Sequence, residues 1–238
     1  MKDLETPAAV DGADLTERTL QGLHGHLISR LPAISSDAPV LDVGCGTGAW
    51  LKRLSVAGFT NLWGIDRNLS ALGFTGAKTE VTDLDADVLP FSGQRFELIT
   101  AIEVVEHLEN PGRLYRLFSA LLSDTGIALV TTPNIHSLVS RLRHLVKGKL
   151  GQFDEKGDPT HVAPLLLDGV ARILTRYELA VSARWGYPEK GSVIHRRPFL
   201  LAAQILATVL PDTVPGDTLC MVIRRTAPRS TGPALAGR

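Results

Sequence analysis

Val40-Leu41-Asp42-Val43-Gly44-Cys45-Gly46-Thr47-Gly48 carries the reading of this chain. Its first half is an apolar run of strand length, and it breaks into glycines at 44, 46 and 48. A helix-compatible run, Ala49-Trp50-Leu51-Lys52-Arg53-Leu54, follows without a linker. Alternate glycines let the backbone turn tightly and admit a ligand where a Cβ would otherwise stand. The helix start behind them turns unpaired N–H groups and the positive end of its dipole toward that ligand. Strand, glycine loop and helix in this order predict a nucleotide-type site at the carboxyl edge of the first strand of a parallel sheet.

The identity of the nucleotide turns on two details. Gly44, Gly46 and Ala49 formally fit the dinucleotide pattern G-x-G-x-x-[GA], which would make the chain a nicotinamide-dependent oxidoreductase. Asp42, however, stands two residues before the first glycine, where negative charge does nothing for a pyrophosphate. An acid there can meet the ammonium group of an amino-acid-bearing ligand. The spacing is also G-x-G-x-G, and with Asp42 the stretch resembles the first motif, D-x-G-x-G-x-G, of the class I S-adenosylmethionine-dependent methyltransferases. The resemblance runs over about residues 39 to 225 and implies one α/β domain. Its sheet would be doubly wound, Rossmann-like and mostly parallel, with seven strands and an antiparallel last strand.

At 238 residues, 44% hydrophobic and 21% charged, the chain suits one ordinary globular domain. Zero net charge removes any global electrostatic case for nucleic acid. Cys45 and Cys220 fall inside predicted elements without disulfide or metal spacing, which suits a reducing cytoplasm. The first residues do not read as a signal peptide, and no apolar run reaches membrane-spanning length.

Residues 1–38 are expected to form a lead-in, a helix and a linker. Asp14-x-x-Glu17 resembles a capping box ahead of a stripe at Leu20, Leu23, Leu27, Ile28 and Leu31. The family resemblance places that helix over the mouth of the sheet, with Gly22 and Gly25 weakening it. Strands are expected at 61–65, 79–82, 96–102 and 127–131, then at 178–184 and 218–223, with helices between them. Asn110 and Pro111 read as the cap and first turn of a helix whose buried stripe is Leu114, Leu117, Phe118 and Leu121. A helical and loop insertion fills about 133–165, 198–210 is an apolar helix candidate, and 226–238 reads as a disordered tail.

Asp66, about twenty residues past the glycine loop, can accept both hydroxyls of a ribose with either nucleotide. The resemblance completes a cofactor set of Asp42, Gly44, Gly46, Gly48, Asp66, Arg67, Asp83, Leu84 and Glu103. In it, Asp83 takes the adenine amino group and the backbone of Leu84 a ring nitrogen, with Asp85 and Asp87 as competitors.

Past the fourth strand lies Glu103-Val104-Val105-Glu106-His107. His107 could serve as a general base, with an intrinsic pKa suited to neutral pH. Glu-x-x-Glu-His also resembles the metal-binding segment of the quinone-biosynthesis O-methyltransferases and of the small-RNA 2′-O-methyltransferases. That resemblance implies a site of Glu103, Glu106 and His107, joined by His161 with His136 as rival. Mg²⁺ or Mn²⁺ would suit it, and Zn²⁺ would also be accepted. The alternative is a metal-free segment that caps a helix and shapes the pocket, with His107 or His161 as the base.

The sequence thus points to methyl transfer to an oxygen of a small molecule, sugar or lipid-linked acceptor. A catalytically silent cofactor-binding regulator is the reading from another class. Arg141, Arg143, His144, Lys147 and Lys149 make a basic flank on the helix at 135–149. That flank is either a solvated face or, with the apolar segment at 195–210, a peripheral membrane contact.

Overall fold

The computed structural model describes residues 15–86, 89–190, 192 and 213–226. The expected lead-in, Asp87, the helix candidate at 198–210 and all but the first residue of the expected tail lie outside them.

The strands are β1 (Val40–Val43), β2 (Leu62–Asp66), β3 (Lys78–Val81), β4 (Phe96–Ile102), β5 (Leu122–Pro133), β6 (Leu179–Tyr187) and β7 (Thr218–Arg225). They form one seven-stranded sheet in the order β3-β2-β1-β4-β5-β7-β6. β1 pairs in parallel with β2 and β4, β2 with β3, and β4 with β5, so four carboxyl ends share one edge with β5. β7 runs antiparallel between β5 and β6, as the sequence led us to expect.

The helices are α1 (Leu23–Arg30), α2 (Ala49–Val56), α3 (Pro111–Leu121), α4 (Leu138–Lys147) and α5 (Leu167–Thr175). All four residues of β1 are buried, because helices cover the sheet on both faces; hence its uninterrupted apolar run. On one face Leu41, Val43 and Ile99 pack with Leu114, Phe118 and Leu174. On the other Val40, Leu98 and Leu129 pack with Leu23, Leu27, Trp50 and Leu54. Period-two alternation along β1 therefore sends Val40 and Asp42 toward α2.

Several boundaries differ from expectation. α1 starts at Leu23 behind Gly22, which holds φ 82°, and not at the expected capping box. Glu17 instead pairs with Arg53 of α2 and lies 3.4 Å from His24 Nδ1. α1 itself packs beside α2. The segment before it crosses the glycine loop, where the Thr47 hydroxyl donates to Thr16 O at 3.1 Å. β5 begins at Leu122, directly out of α3 and ahead of the strand expected at 127–131, so Gly126 lies inside the strand. A Cβ at Gly126 would stand 2.6 Å from Phe96 O, so the residue is small because two backbones meet there. No helix among the described residues is long and apolar enough to cross a membrane.

Candidate functional site

The turn out of β1 is a run of left-handed glycines: Gly44 at φ 74°, Gly46 at 49° and Gly48 at 83°. Each is needed for a different reason. A Cβ on Gly44 would sit 2.5 Å from Val104 Cγ2, and one on Gly48 2.7 Å from Phe74 Cβ. A Cβ on Gly46 would meet nothing nearer than Gly44 O at 4.0 Å. The first and third glycines permit close packing, whereas Gly46 faces open space that a ligand can fill.

Asp66, at the end of β2, closes the other side of that space. One carboxylate oxygen accepts from Gly46 N and the other from Asn68 N, both at 2.9 Å. The acid thus shapes the glycine loop itself and keeps lone pairs for a ribose. Arg67 follows it, exposed, near enough to His107 to disfavour charge on that imidazole.

Asp42 lies beneath the loop, 3% exposed. The Thr100 hydroxyl donates to its Oδ1 at 2.8 Å and accepts from Trp50 Nε1 at 3.0 Å. Burial pushes the Asp42 carboxyl up to about 7, against the opposing effect of the Thr100 bond. Past β3, Asp83 Oδ1 accepts from Asp85 N at 2.9 Å, and Asp83 is exposed beside the half-buried Leu84. Asp85 has both oxygens committed, to Glu109 N at 3.2 Å and Asn110 N at 3.0 Å. Of these two acids Asp83 remains the better placed for an adenine.

β4 ends at Ile102, and Glu103 follows with φ 53°, a conformation that L residues seldom adopt and that clusters at functional sites. Thr131 of β5 holds it there. Glu103 N donates to Thr131 Oγ1 at 3.0 Å, and the Thr131 hydroxyl donates to Glu103 Oε1 at 2.9 Å. Burial raises the Glu103 carboxyl to about 7. The kink turns the next segment into a single helical turn at Val105–His107.

That turn buries Glu106 completely, and neither of its carboxylate oxygens makes a hydrogen bond of good geometry, although its own N–H and the Thr132 hydroxyl lie near enough to oppose, less strongly, the effect of burial. Burial, with the charge of Glu103 second, pushes this carboxyl well above the usual range. A fully buried acid without good partners is costly unless something neutralises it, a proton or a cation. Two imidazoles stand beside it. One ligand atom each from Glu106, His107 and His161 lies within 4.8 Å of the others. The two rings meet edge to face with centroids 4.7 Å apart. Burial, then His161, lowers the His107 pKa below its ordinary value.

His161 reaches the cluster because the backbone of its loop is pinned: Val162 N and Ala163 N both donate to Glu106 O, at 2.8 and 3.0 Å. His136, the rival, has its Nε2 on Leu165 O at 2.9 Å and lies outside the cluster. Glu103 also stands apart, its carboxylate committed to Thr131. The donors brought together are two imidazoles and one carboxylate, and a divalent cation fits their chemistry.

A family model described as methyltransferase domain matches residues 16–183, more than half of the chain. The chain belongs to the class I S-adenosylmethionine-dependent methyltransferases. The match takes in the glycine loop, Asp66 and the Glu103–His161 region of this methyltransferase. It is 33% identical over 112 residues to an uncharacterised protein of Methanocaldococcus jannaschii, covering 46% of this chain and 42% of that protein. It is 31% identical over 102 residues to a ubiquinone biosynthesis O-methyltransferase of Coxiella burnetii, covering 40% of this chain and 43% of the relative. The methyltransferase thus matches less than half the length of these curated relatives. Among solved structures it is similar to an S-adenosylmethionine-dependent methyltransferase of Mesorhizobium loti. That likeness has a TM-score of 0.54 and 19% identity, and covers 84% of this chain and 96% of the other.

Four residues of the methyltransferase site carry no sequence signal of their own: Thr100, Thr131, Asp158 and Thr160. Thr100 bonds Asp42, Thr131 bonds Glu103 and the Thr160 hydroxyl lies on His107 Nδ1, while Asp158 accepts from that same hydroxyl. Thr100 and Thr131 lie on predicted strands, where a threonine reads as a β-former, and Asp158 and Thr160 in a polar loop.

Proposed function

We propose that this chain binds S-adenosylmethionine between Gly46 and Asp66 and directs its methyl group to an oxygen of a small molecule, sugar or lipid-linked acceptor. The cofactor would supply a methyl group on a sulfonium, a leaving group already activated. The chain's own part is then to position the acceptor and to deal with its proton. Asp42 would face the ammonium end of the cofactor, Asp66 the ribose and Asp83 the adenine, with Leu84 beside it. Glu103, fixed by Thr131, would line the wall between cofactor and acceptor.

The observation that carries an oxygen acceptor is the bare, buried Glu106 carboxylate beside two imidazoles. Glu106, His107 and His161 would hold a divalent cation, which would ligate the acceptor oxygen and make its proton easier to lose. With two imidazoles and one carboxylate as donors, Mn²⁺ or Zn²⁺ suits this set better than Mg²⁺. Imidazole held below its ordinary pKa also stays neutral at pH 7, fit either to ligate or to accept a proton.

Exposed apolar side chains at the end of α4 support the lipid-linked acceptor. Leu145 is 81% and Val146 64% exposed, beside His144 and Lys147. Such a tip suits an anionic bilayer surface, although Arg143 and Lys149 are already paired with Asp154 and Glu155. Co-sedimentation with vesicles containing anionic lipid, reduced in Leu145→Asp, is the expected sign.

Calorimetry tests the cofactor: S-adenosylhomocysteine should bind and NAD should not. Tight NAD binding without S-adenosylhomocysteine binding would overturn the reading. Methyl-labelled cofactor offered with phenolic, sugar and lipid-linked hydroxyl acceptors tests the reaction. Binding without label transfer to any of them would favour a silent cofactor-binding regulator.

A further inference from the structure

The two imidazoles beside Glu106 are not free to turn. His161 Nδ1 lies 3.0 Å from Gln152 O, and a carbonyl only accepts, so that nitrogen carries the proton. His107 Nδ1 lies 2.8 Å from Thr160 Oγ1 and 3.3 Å from Thr160 O. The carbonyl, at the longer distance, can only accept and so favours a proton on Nδ1; the nearer hydroxyl can donate or accept, and its role is set one bond further out. Asp158 Oδ1 is 2.5 Å from the same Thr160 Oγ1 and 2.8 Å from Thr160 N. An ionised carboxylate only accepts, so the Thr160 hydroxyl proton points at Asp158. What remains to Thr160 Oγ1 on the His107 side is a lone pair. His107 must then donate from Nδ1, and its lone pair is left on Nε2.

We propose that Asp158, acting through Thr160, is a positioning residue that fixes His107 as the Nδ1–H tautomer. It thereby tunes the affinity of the Glu106–His107–His161 group for an imidazole-preferring divalent cation. The inference rests on the metal reading above. With both Nδ1 atoms engaged, Nε2 is the nitrogen each ring has left for a cation, and the two rings and the Glu106 carboxylate form one cluster of ligand atoms. Partners that lock the outer nitrogen of a ligating histidine typically change metal affinity by about 10–100-fold when removed. The chain Asp158, Thr160, His107 is such an arrangement, with a hydroxyl between the acid and the ring. Since Val162 and Ala163 bind Glu106 O, the loop that supplies the lock also delivers His161 to the same carboxylate.

The test has two readouts that do not need turnover. Long-range ¹H–¹⁵N correlation of metal-free protein at pH 8, with His107 assigned through His107→Gln, should show the Nδ1–H form in wild type. In Thr160→Val, where only the longer contact to the Thr160 carbonyl remains, the Nε2–H form should gain population, and in Thr160→Ser the wild-type form should return. Calorimetric titration with Zn²⁺ alone should give affinity lowered by about 10–100-fold in Thr160→Val and Asp158→Asn, and nearly restored in Thr160→Ser. Affinity for S-adenosylhomocysteine, unchanged in every variant, shows that the fold has survived. An Nε2–H imidazole at His107 in wild type overturns the positioning role. So does a Zn²⁺ affinity that Thr160→Val leaves alone. Wild type with the Nδ1–H form that takes up no Zn²⁺ or Mn²⁺ overturns the metal reading, and the tuning role falls with it.

Discussion

Gly44 and Gly46 share one backbone conformation but should fail differently when a methyl group is added. At Gly44 the new Cβ would overlap Val104, and a left-handed alanine costs about 1–2 kcal/mol before any clash. Overpacking adds about 1–3 kcal/mol, so Gly44→Ala should lower unfolding stability by at least about 2 kcal/mol in denaturant titration. Gly46→Ala meets no atom and should cost only the backbone term. Its loss should appear in binding: S-adenosylhomocysteine weakened by roughly tenfold or more, the equivalent of about 1.4 kcal/mol. Equal binding by Gly46→Ala and wild type would remove the cofactor from this loop. Asp42 adds a pH effect. Its carboxyl sits at about 7 in the folded chain and near 3.8 as a free group, so the native state holds the proton longer than the unfolded one. Stability from this group is complete below about 4, falls as pH rises toward 7, and is flat beyond. Asp42→Asn should flatten that part of the melting-temperature profile. If Asp42 meets an ammonium group, ligand binding at pH 6.5 should release protons, read as a binding heat that changes with the buffer's ionisation enthalpy.

At the scale of elements, β4 and α3 are joined by a short stretch in which each turn has a stated cause. Glu103 kinks because Thr131 holds both its backbone and its side chain. The turn after it ends at the Asp85 carboxylate, which takes Glu109 N and Asn110 N. Asn110 then caps α3, its side chain accepting from Gly112 N at 3.1 Å with Pro111 in the first turn. Asn110→Ala should therefore cost about 1 kcal/mol in thermal or chemical unfolding. Asp85→Ala removes two acceptors from the connection that carries Glu106 and His107, and should loosen it. Hydrogen exchange at residues 103–110 should rise, and no change there would mean that the Glu103–Thr131 bonds, the Glu106 O contacts and the packing of Val105 hold the turn without Asp85.

Across the whole molecule, the site draws on the ends of β1, β2, β3 and β4 and on the loop before α5, so cofactor binding should couple to global stability. S-adenosylhomocysteine at about a hundred times its Kd should stabilise the fold by about 2.7 kcal/mol, rising with concentration, while NAD should leave the melting curve in place. No shift at any concentration would show that the ligand fails to prefer the folded chain.

Local sequence determined the sheet's central strands, the glycine loop and Asp66, because these depend on short-range rules. A strand buried on both faces must be apolar, a tight left-handed turn needs glycine, and an acid one strand on falls at the same edge. The start of α1 was not legible, since an Asp14–Glu17 spacing mimics a cap while Gly22 sets the real boundary and Glu17 bonds across to Arg53. Tertiary structure alone decided which donors meet. Glu103 and Glu106 are three residues apart and look equivalent as text, yet the left-handed turn at Glu103 spends its carboxylate on Thr131 and leaves that of Glu106 bare. His161 was the candidate with His136 as its rival, and the structure decided between them when the 158–163 loop fastened itself to Glu106 O and Leu165 O took His136. Convergence of side chains from distant segments depends on backbone hydrogen bonds that any residue can make, so no residue type advertises it.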